Sequence, residues 1–414
     1  MAAAGDAAGA AGEAVSRPPA ALTRTQWIKK NLFNTWYNAL LTVLSLLFLI
    51  WILRGLFSWI LFTANWAPVT DSLKLFAVGQ FPVEEIWRVG AILAIVSVLM
   101  GLSWGVWGGT VRTFAIVLGA GFAATALVPI DLYPPNEDKL DLLLRLGFLS
   151  LPVLILAGYF LGSRLKIKGR LLMVLWLLSL PVTAILLSGF EGSLILPAID
   201  TGLWGGLLLT FLLAFVGILA SFPIGVLLAL GRQSSLPVVK FFCTLFIEVV
   251  RGVPLITILF MFSLILPLFL PPEFRIDRVL RAMMAMTFFA AAYMAENVRG
   301  GLQSIPKGQY EAAKAVGLTG FQTTVFIILP QALRAVIPAI VGQFIALFMD
   351  TTLAIIVGLV ELLAVGKAVL NSNVEWLLLD KEVYLFIAAV FWVFTYSMSY
   401  ASRRLEKALG VGER

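Results

Sequence analysis

Residues 311–330 read Glu311-Ala312-Ala313-Lys314-Ala315-Val316-Gly317, then nine residues, then Ile327-Ile328-Leu329-Pro330. Glu311 to Val316 is built mostly of good helix formers, and Gly317 can take the left-handed conformation that ends a helix. Thr319 can cap a second helix, and Pro330 favours a break before the apolar run that follows. The small Ala312 and Ala313 permit close approach by a partner, while Phe321, Val325 and Leu329 form an apolar stripe at helical spacing. These local preferences describe a rigid bent hairpin.

The surroundings of the hairpin are strongly apolar. Hydrophobic residues make up 60% of the 414 positions and charged residues 13%, against roughly 45–50% and about 25% in soluble domains. The chain therefore reads as a membrane protein. Its net charge of +7 is carried in short loops between apolar runs rather than on one amphipathic face, which suits anionic lipid and not nucleic acid. A single cysteine, Cys243, and no histidine exclude disulfide frameworks, His/Cys metal sites, Ser-His triads and Cys-His pairs.

Crossing a bilayer takes about 20 mainly apolar residues in a helix, because buried backbone groups must satisfy one another within the segment. About ten segments qualify by that measure, near 36–53, 90–111, 113–130, 144–162, 171–189, 203–230, 252–270, 279–296, 332–355 and 384–401. The expected fold class is all-α integral membrane, with the run from Gly55 to Thr63 either lengthening the first helix or lying in the interface.

Lys and Arg concentrate on the cytoplasmic side. Arg164, Lys166, Lys168 and Arg170 place their loop inside, whereas Asp131, Glu137, Asp138 and Asp141 before it, and Glu191 and Asp200 after it, face outward. Arg24, Lys29 and Lys30 put the amino-terminal end inside, and Arg403, Arg404 and Lys407 do the same for the carboxyl end. Residues 1–20, rich in Ala and Gly, read as a disordered cytoplasmic tail, and 403–414 as another.

The two halves differ in polarity. Residues 21–190 hold about five apolar segments with few internal polar groups, an amino-terminal transmembrane extension. The later half carries Glu248, Arg251, Glu296, Arg299, Asp350 and Glu361 in or beside apolar runs. An ionisable group at membrane depth is costly unless paired or hydrated, so these residues mark a functional interior. Glu296 and Arg299, three apart on one helical face, either neutralise each other or line a passage, and Arg251 can pair with Glu248. Asp350, Thr351 and Thr352 either line the passage or cap the next helix.

The 311–330 hairpin resembles the EAA motif of ABC-importer permeases, with its Glu-Ala-Ala, its following glycine and its Ile-x-Leu-Pro at the same spacing. The resemblance implies a five-helix type I importer permease domain at 200–402, with a cytoplasmic coupling loop at 304–331. Glu311, Ala312, Ala313, Lys314, Gly317, Leu329 and Pro330 then form the contact with a nucleotide-binding subunit. No Gly-x-x-x-x-Gly-Lys-Ser/Thr phosphate loop occurs in the sequence. By the same resemblance, this chain is non-catalytic and holds no cofactor or metal, with ATP and magnesium bound by a separate ATPase dimer.

Further stretches resemble the polar amino-acid permeases: Thr201-Gly202-Leu203-Trp204-Gly205-Gly206 with Thr210, Arg251-Gly252-Val253-Pro254-Leu255, Tyr293 to Leu302, Ser304 to Gln309, and Asp350-Thr351-Thr352-Leu353. Met349 stands where that family often has lysine. The extra amino-terminal spans resemble the extended subunit of general L-amino-acid importers. That likeness implies a second, non-identical permease, an extracytoplasmic amino-acid-binding protein and a bacterial inner-membrane location. Glu296, Arg299, Asp350, Thr351 and Thr352 are the candidate substrate pathway. The competing expectations are an ABC permease for another small solute and an ion-coupled secondary transporter.

Overall fold

The computed structural model describes residues 23–128, 138–165, 167–271 and 273–410. The tail at 1–20, the acids Asp131 and Glu137, Lys166 and residues 411–414 lie outside the described residues. Every regular element among the described residues is helical, with three isolated β-bridges at chain crossings. The chain divides into two compact units, one ending at Ala64 and the other spanning Asn65–Arg414.

In the first unit, α1 (Arg24–Leu32) starts in a capping box between Thr23 and Gln26. Thr35 then caps α2 (Trp36–Ser58), which runs on through a π-helical turn to Thr63. The run from Gly55 to Thr63 thus lengthens the first span to 28 residues, about 42 Å at the helical rise. Its most apolar window has no buried residue. A helix apolar on all sides is matched to hydrocarbon.

The second unit opens with two short helices, α3 (Ala67–Thr70) and α4 (Leu73–Val78), followed by α5 (Trp87–Trp107), α6 (Gly109–Leu127), α7 (Asp138–Arg164) and α8 (Gly169–Ser188). Paired glycines one turn apart hold α5 against α7. A methyl group on Gly101 would lie 2.0 Å from the Ile155 carbonyl oxygen, and one on Gly158 would lie 2.5 Å from that of Val98. Gly105 and Gly162 repeat the arrangement a turn further on. Such close backbone approach replaces the hydrophobic driving force that lipid removes.

Next come α9 (Gly206–Arg232), α10 (Pro237–Gly252), α11 (Leu255–Phe260), α12 (Leu266–Phe269) and α13 (Arg278–Ser304). The loop helices α14 (Lys307–Ala315), α15 (Gly320–Gln322) and α16 (Leu329–Ala335) precede α17 (Ile337–Asp350), α18 (Leu362–Ser372) and α19 (Asp380–Leu409). Nine helices among the described residues are long and apolar enough to cross a membrane, or ten if α10 and the α11–α12 run count as one span. That pair bends by 109°, because Val253 and Pro254 are extended and Pro254 bars helical geometry before it. The expected span at 252–270 is accordingly a 255–269 run broken by a π-helical turn at Met261–Ile265. Residues 403–409 continue α19 as helix.

The most buried of the long helices is α13, packed along α9. Its run of Ala290, Ala291 and Ala292 is fully enclosed, and Met283 and Met286 fill core space rather than facing lipid. One core cluster joins Val78, Phe81 and Leu187 to Leu209, Met286, Leu347 and Leu359. Another seats Phe76 among Leu362, Val365, Val369 and Trp376. Both clusters cross the 190–200 boundary, so the helices before it share their core with those after it. Trp376 packs in that second cluster, whereas Trp36 and Trp392 are exposed and suit interface anchors.

Backbone approach is tightest where α4 ends. A methyl group on Gly79 would sit 2.5 Å from the Gly205 Cα, and Gly206 at φ +57° would place one 2.3 Å from the Phe76 carbonyl oxygen. Only glycine fits there. Nearby, the fully buried Arg88 donates to Glu85 Oε2 at 2.7 Å, to the Leu186 carbonyl at 3.3 Å and to the Pro197 carbonyl at 2.9 Å. A buried guanidinium needs such saturation to offset its desolvation.

Candidate functional site

Three groups of residues carry the chemistry, and the second and third lie at different heights along α9. The first is the hairpin from Ser304 to Pro330. Helix α14 ends in a complete Schellman motif: Gly317 at φ +80°, its N–H on the Lys314 carbonyl at 3.0 Å, and the Leu318 N–H on the Ala313 carbonyl at 3.1 Å. Thr319 immediately starts the second arm through a capping box with Gln322. Gln331 Nε2 ties the two arms by donating to Gln309 Oε1 at 3.2 Å. Of the two alanines, Ala313 is buried and Ala312 faces out.

Glu311, Lys314 and Gly317 are exposed with Ala312, and so are the apolar Val316 (75%), Phe321 (76%) and Phe326 (65%). A folded element that presents bare aromatic and aliphatic side chains is poised for a partner or lipid. Leu329 is half-buried and Pro330 exposed. The expected break at Pro330 does not occur there. Proline is tolerated in the first turn of α16, the preceding Thr323–Ile328 stretch is π-helical, and the chain bends at Val336 instead.

The second group gathers where α9 ends. Glu296 on α13 accepts from Arg299 Nε at 3.0 Å and from Arg299 Nη2, and lies 3.5 Å from Arg232 and 3.4 Å from Arg251. Glu248 pairs with Arg232 at 2.8 Å. The partnership expected between Arg251 and Glu248 is replaced. Arg251 reaches Glu296 and lies over the Tyr293 ring at 5.5 Å, because α10 packs against α13. Three arginines share two carboxylates here, so one positive charge is uncompensated, and Arg232 Nη1 and Arg251 Nε make no hydrogen bond.

The third group lies near the other end of α9. Asp350 is half-buried and enters no hydrogen bond or ion pair among the described residues, and Met349 beside it is exposed. Thr351 and Thr352 turn their hydroxyls back onto the Phe348 and Met349 carbonyls at 2.7 and 2.9 Å. Asp350 makes no side-chain cap, so of its two readings capping is not seen. Leu347 packs on Gly217 while Glu296 meets Arg232. Fifteen residues of α9 separate those levels, about 22 Å by the helical rise. The structure therefore splits the expected pathway residues into an ion-paired cluster with surplus positive charge and an unpaired carboxylate.

Glu361, which the sequence marked only as an acid near an apolar run, caps α18. Its carboxylate accepts from the Leu363 N–H at 2.7 Å and the Ala364 N–H at 2.9 Å. Gly206 N–H donates to the Val360 carbonyl at 2.9 Å, and Leu362 N–H donates to Thr210 Oγ1 at 3.2 Å. Burial pushes the Glu361 carboxyl up to about 7, against the two N–H donors and Lys367, which favour the anion. Thr210 appeared in the sequence only inside a motif, without this role.

The family described as binding-protein-dependent transport system inner membrane component matches residues 221–411, an interval holding the hairpin, the charge cluster and α18. An inner membrane amino-acid ABC transporter permease protein of Escherichia coli K12, YhdY, is 37% identical over 93% of each chain. The chain belongs to the amino-acid ABC transporter permeases. The glutamate/glutamine/aspartate/asparagine transport system permease protein BztC of Rhodobacter capsulatus is also 37% identical over 93% of both chains. A probable glutamine ABC transporter permease protein of Bacillus subtilis, GlnP, is 36% identical over 92% of its own length but only 49% of this chain. A solved amino acid ABC transporter with histidines is 28% identical, covers 49% of this chain and 92% of its own, and has a TM-score of 0.44. The permease thus matches full-length relatives that share its long amino-terminal part, alongside shorter ones that lack its length.

Proposed function

We propose that this permease imports polar L-amino acids across the bacterial inner membrane, with both ends cytoplasmic, and that a separate ATPase dimer drives alternating access through the 304–331 loop. The observation that carries the reading is α14. It is closed at its end by Gly317, joined directly to a capped second arm, and bare along Ala312, Val316 and Phe321. With α14 seated on the core through Ala313 and Tyr310, its exposed surface is free to dock in a cleft of the ATPase. Glu311 and Lys314 flank that surface and add charged contacts.

Movement of α14 passes to α13 across the short Ile305–Pro306 link, and α13 carries Glu296 and Arg299 against α9 and α10. ATP and magnesium belong to the partner. A second, related permease completes the passage, and an extracytoplasmic binding protein delivers the cargo. Asp350 supplies an unpaired carboxylate for the cargo ammonium, while the surplus guanidinium charge near Glu296 suits its carboxylate on the way out.

Gly317→Leu in the assembled transporter tests the coupling. Expected is strongly reduced ATP-driven uptake in proteoliposomes with normal membrane insertion; uptake at the wild-type rate would overturn the assignment. Stimulation of ATP hydrolysis by a panel of loaded binding proteins tests the cargo, with polar amino acids expected to stimulate and sugars, peptides and inorganic ions to leave the rate unchanged.

A further inference from the structure

Helices α18 and α19 and the turn between them border an open cleft that the coupling and passage residues do not use. It has a volume of about 320 Å³ and is lined by Lys367, Leu370, Asn371, Leu377, Asp380 and Tyr384. That volume is at the lower end for small-molecule sites and exceeds the bulk of a single amino acid. Leu370 is buried and forms an apolar floor, and Tyr384 and Leu377 form walls.

Two opposite charges line the cleft from different helices. Lys367 belongs to α18 and Asp380 to the first turn of α19. Both are exposed, and neither enters an ion pair or side-chain hydrogen bond among the described residues. Near the end of α9, by contrast, arginines and glutamates converge on one another. A cation and an anion kept apart around a common space complement a ligand carrying both charges. The Asn371 amide, donor and acceptor at once, can serve either end.

We propose that this cleft binds a small zwitterion, its primary ammonium on Asp380 and its oxyanion on Lys367. Two sources share that chemistry: a free α-amino acid and the headgroup of an ethanolamine phospholipid. Asp380 lies at the opposite end of α19 from Arg403, Arg404 and Lys407, so on the orientation proposed above the cleft opens outward. The amino-acid source rests on the cargo reading. An occupant would also bear on α18, whose first turn is held to the start of α9 through Thr210 and Gly206.

The test uses the complete transporter, without binding protein, in phosphatidylcholine nanodiscs titrated with radiolabelled glutamine, glutamate and arginine. Lys367 and Asp380 are exposed and in no ion pair, so Lys367→Gln and Asp380→Asn probe the cleft directly; because Lys367 also favours the Glu361 anion, size-exclusion profiles confirm assembly. Each is expected to weaken saturable binding at least about tenfold, and the exchange of both charges, K367D with D380K, to restore part of it. In parallel particles containing phosphatidylethanolamine, native mass spectrometry reads lipid retention. Loss of retained lipid in both single variants, without amino-acid binding in the wild type, sustains the zwitterion site with lipid as its source. If neither amino-acid binding nor lipid retention responds to either substitution, the site is overturned. Binding-protein-dependent uptake by the wild type separates the two readings. Amino-acid uptake with substitution-insensitive binding sinks only this site, whereas absent uptake with Lys367-dependent lipid retention sinks only the cargo assignment.

Discussion

The junction around Gly79, Gly206 and Glu361 and the hairpin from Ser304 to Pro330 are both made of short helices, yet they are built in opposite ways. At the junction, three chain segments from distant parts of the sequence meet with backbone on backbone, and the capping carboxylate is fully buried. In the hairpin, the caps are local, from Ala313 to Gln322, and Val316, Phe321 and Phe326 are bare while Tyr310 and Ile328 pack onto the core. One region gets its shape from long-range packing, and the other brings its shape with it. An element that must hold a core together is thereby distinguished from one that must move as a body.

That contrast sets where substitutions should do most damage. Gly79→Val forces a side chain into the Gly205 backbone at a left-handed position, two penalties that no rotamer relieves. Destabilisation above about 3 kcal/mol is expected, since overpacking and strain combine. Fluorescence-detected size exclusion on heating should show loss of the folded peak, and a wild-type profile would break the account of the junction. Arg88→Ala belongs to the same class, leaving two carbonyls and Glu85 without their donor, with a cost of about 3–5 kcal/mol.

Much of the hairpin was legible in the sequence because its determinants are local: a glycine at a helix end, a threonine two residues later, and helix formers before them. The junction was not, because Gly79 and Glu361 are 282 positions apart in the sequence and meet only through tertiary packing. The Gly101/Gly105 and Gly158/Gly162 pairs did carry a readable four-residue spacing, and they set the closest helix contact in the first half. Charge pairing was half legible. Glu296 and Arg299 share a helical face and do pair, but the packing of α10 on α13 and α9, which brings Arg251 to Glu296 and Glu248 to Arg232, depends on tertiary geometry. The distance between Asp350 and Glu296 along α9 was likewise invisible to motif spacing.

Acidity sharpens the same comparison with a comparable or smaller effect confined to one region. Glu361 titrates near 7 in the folded protein, above the ordinary carboxyl value near 4.3. The folded state therefore holds a proton that the unfolded state has lost between those limits, and stability falls as pH rises through that window. The difference corresponds to about 4 kcal/mol at most, and Lys367, which favours the anion, lies on α18 itself. Hydrogen exchange should show amides of α18 opening more readily at pH 8 than at pH 5.5, with the hairpin amides unchanged after correction for intrinsic exchange. Equal opening at both pH values would remove Glu361 from the account.

The hairpin should tolerate substitution thermally. Gly317→Ala places a methyl group at φ +80° with open space around it, so only the backbone penalty applies, about 1 kcal/mol. A shift of the melting transition by several degrees would mean that the loop is packed more tightly than the structure shows.

The smallest stability effect should accompany the largest loss of partnership. Phe321→Ser and Phe326→Ser remove side chains exposed by 76% and 65%, which contribute little to the fold of this chain alone, within about 0.5 kcal/mol. If those rings serve the ATPase, the double variant melts like the wild type when purified without it, yet fails to retain the ATPase on affinity purification. Wild-type retention of the ATPase would mean that the bare aromatics face lipid instead. The contrast between junction and hairpin would then still hold for folding, while the coupling surface would have to be sought on Glu311, Ala312 and Lys314 alone.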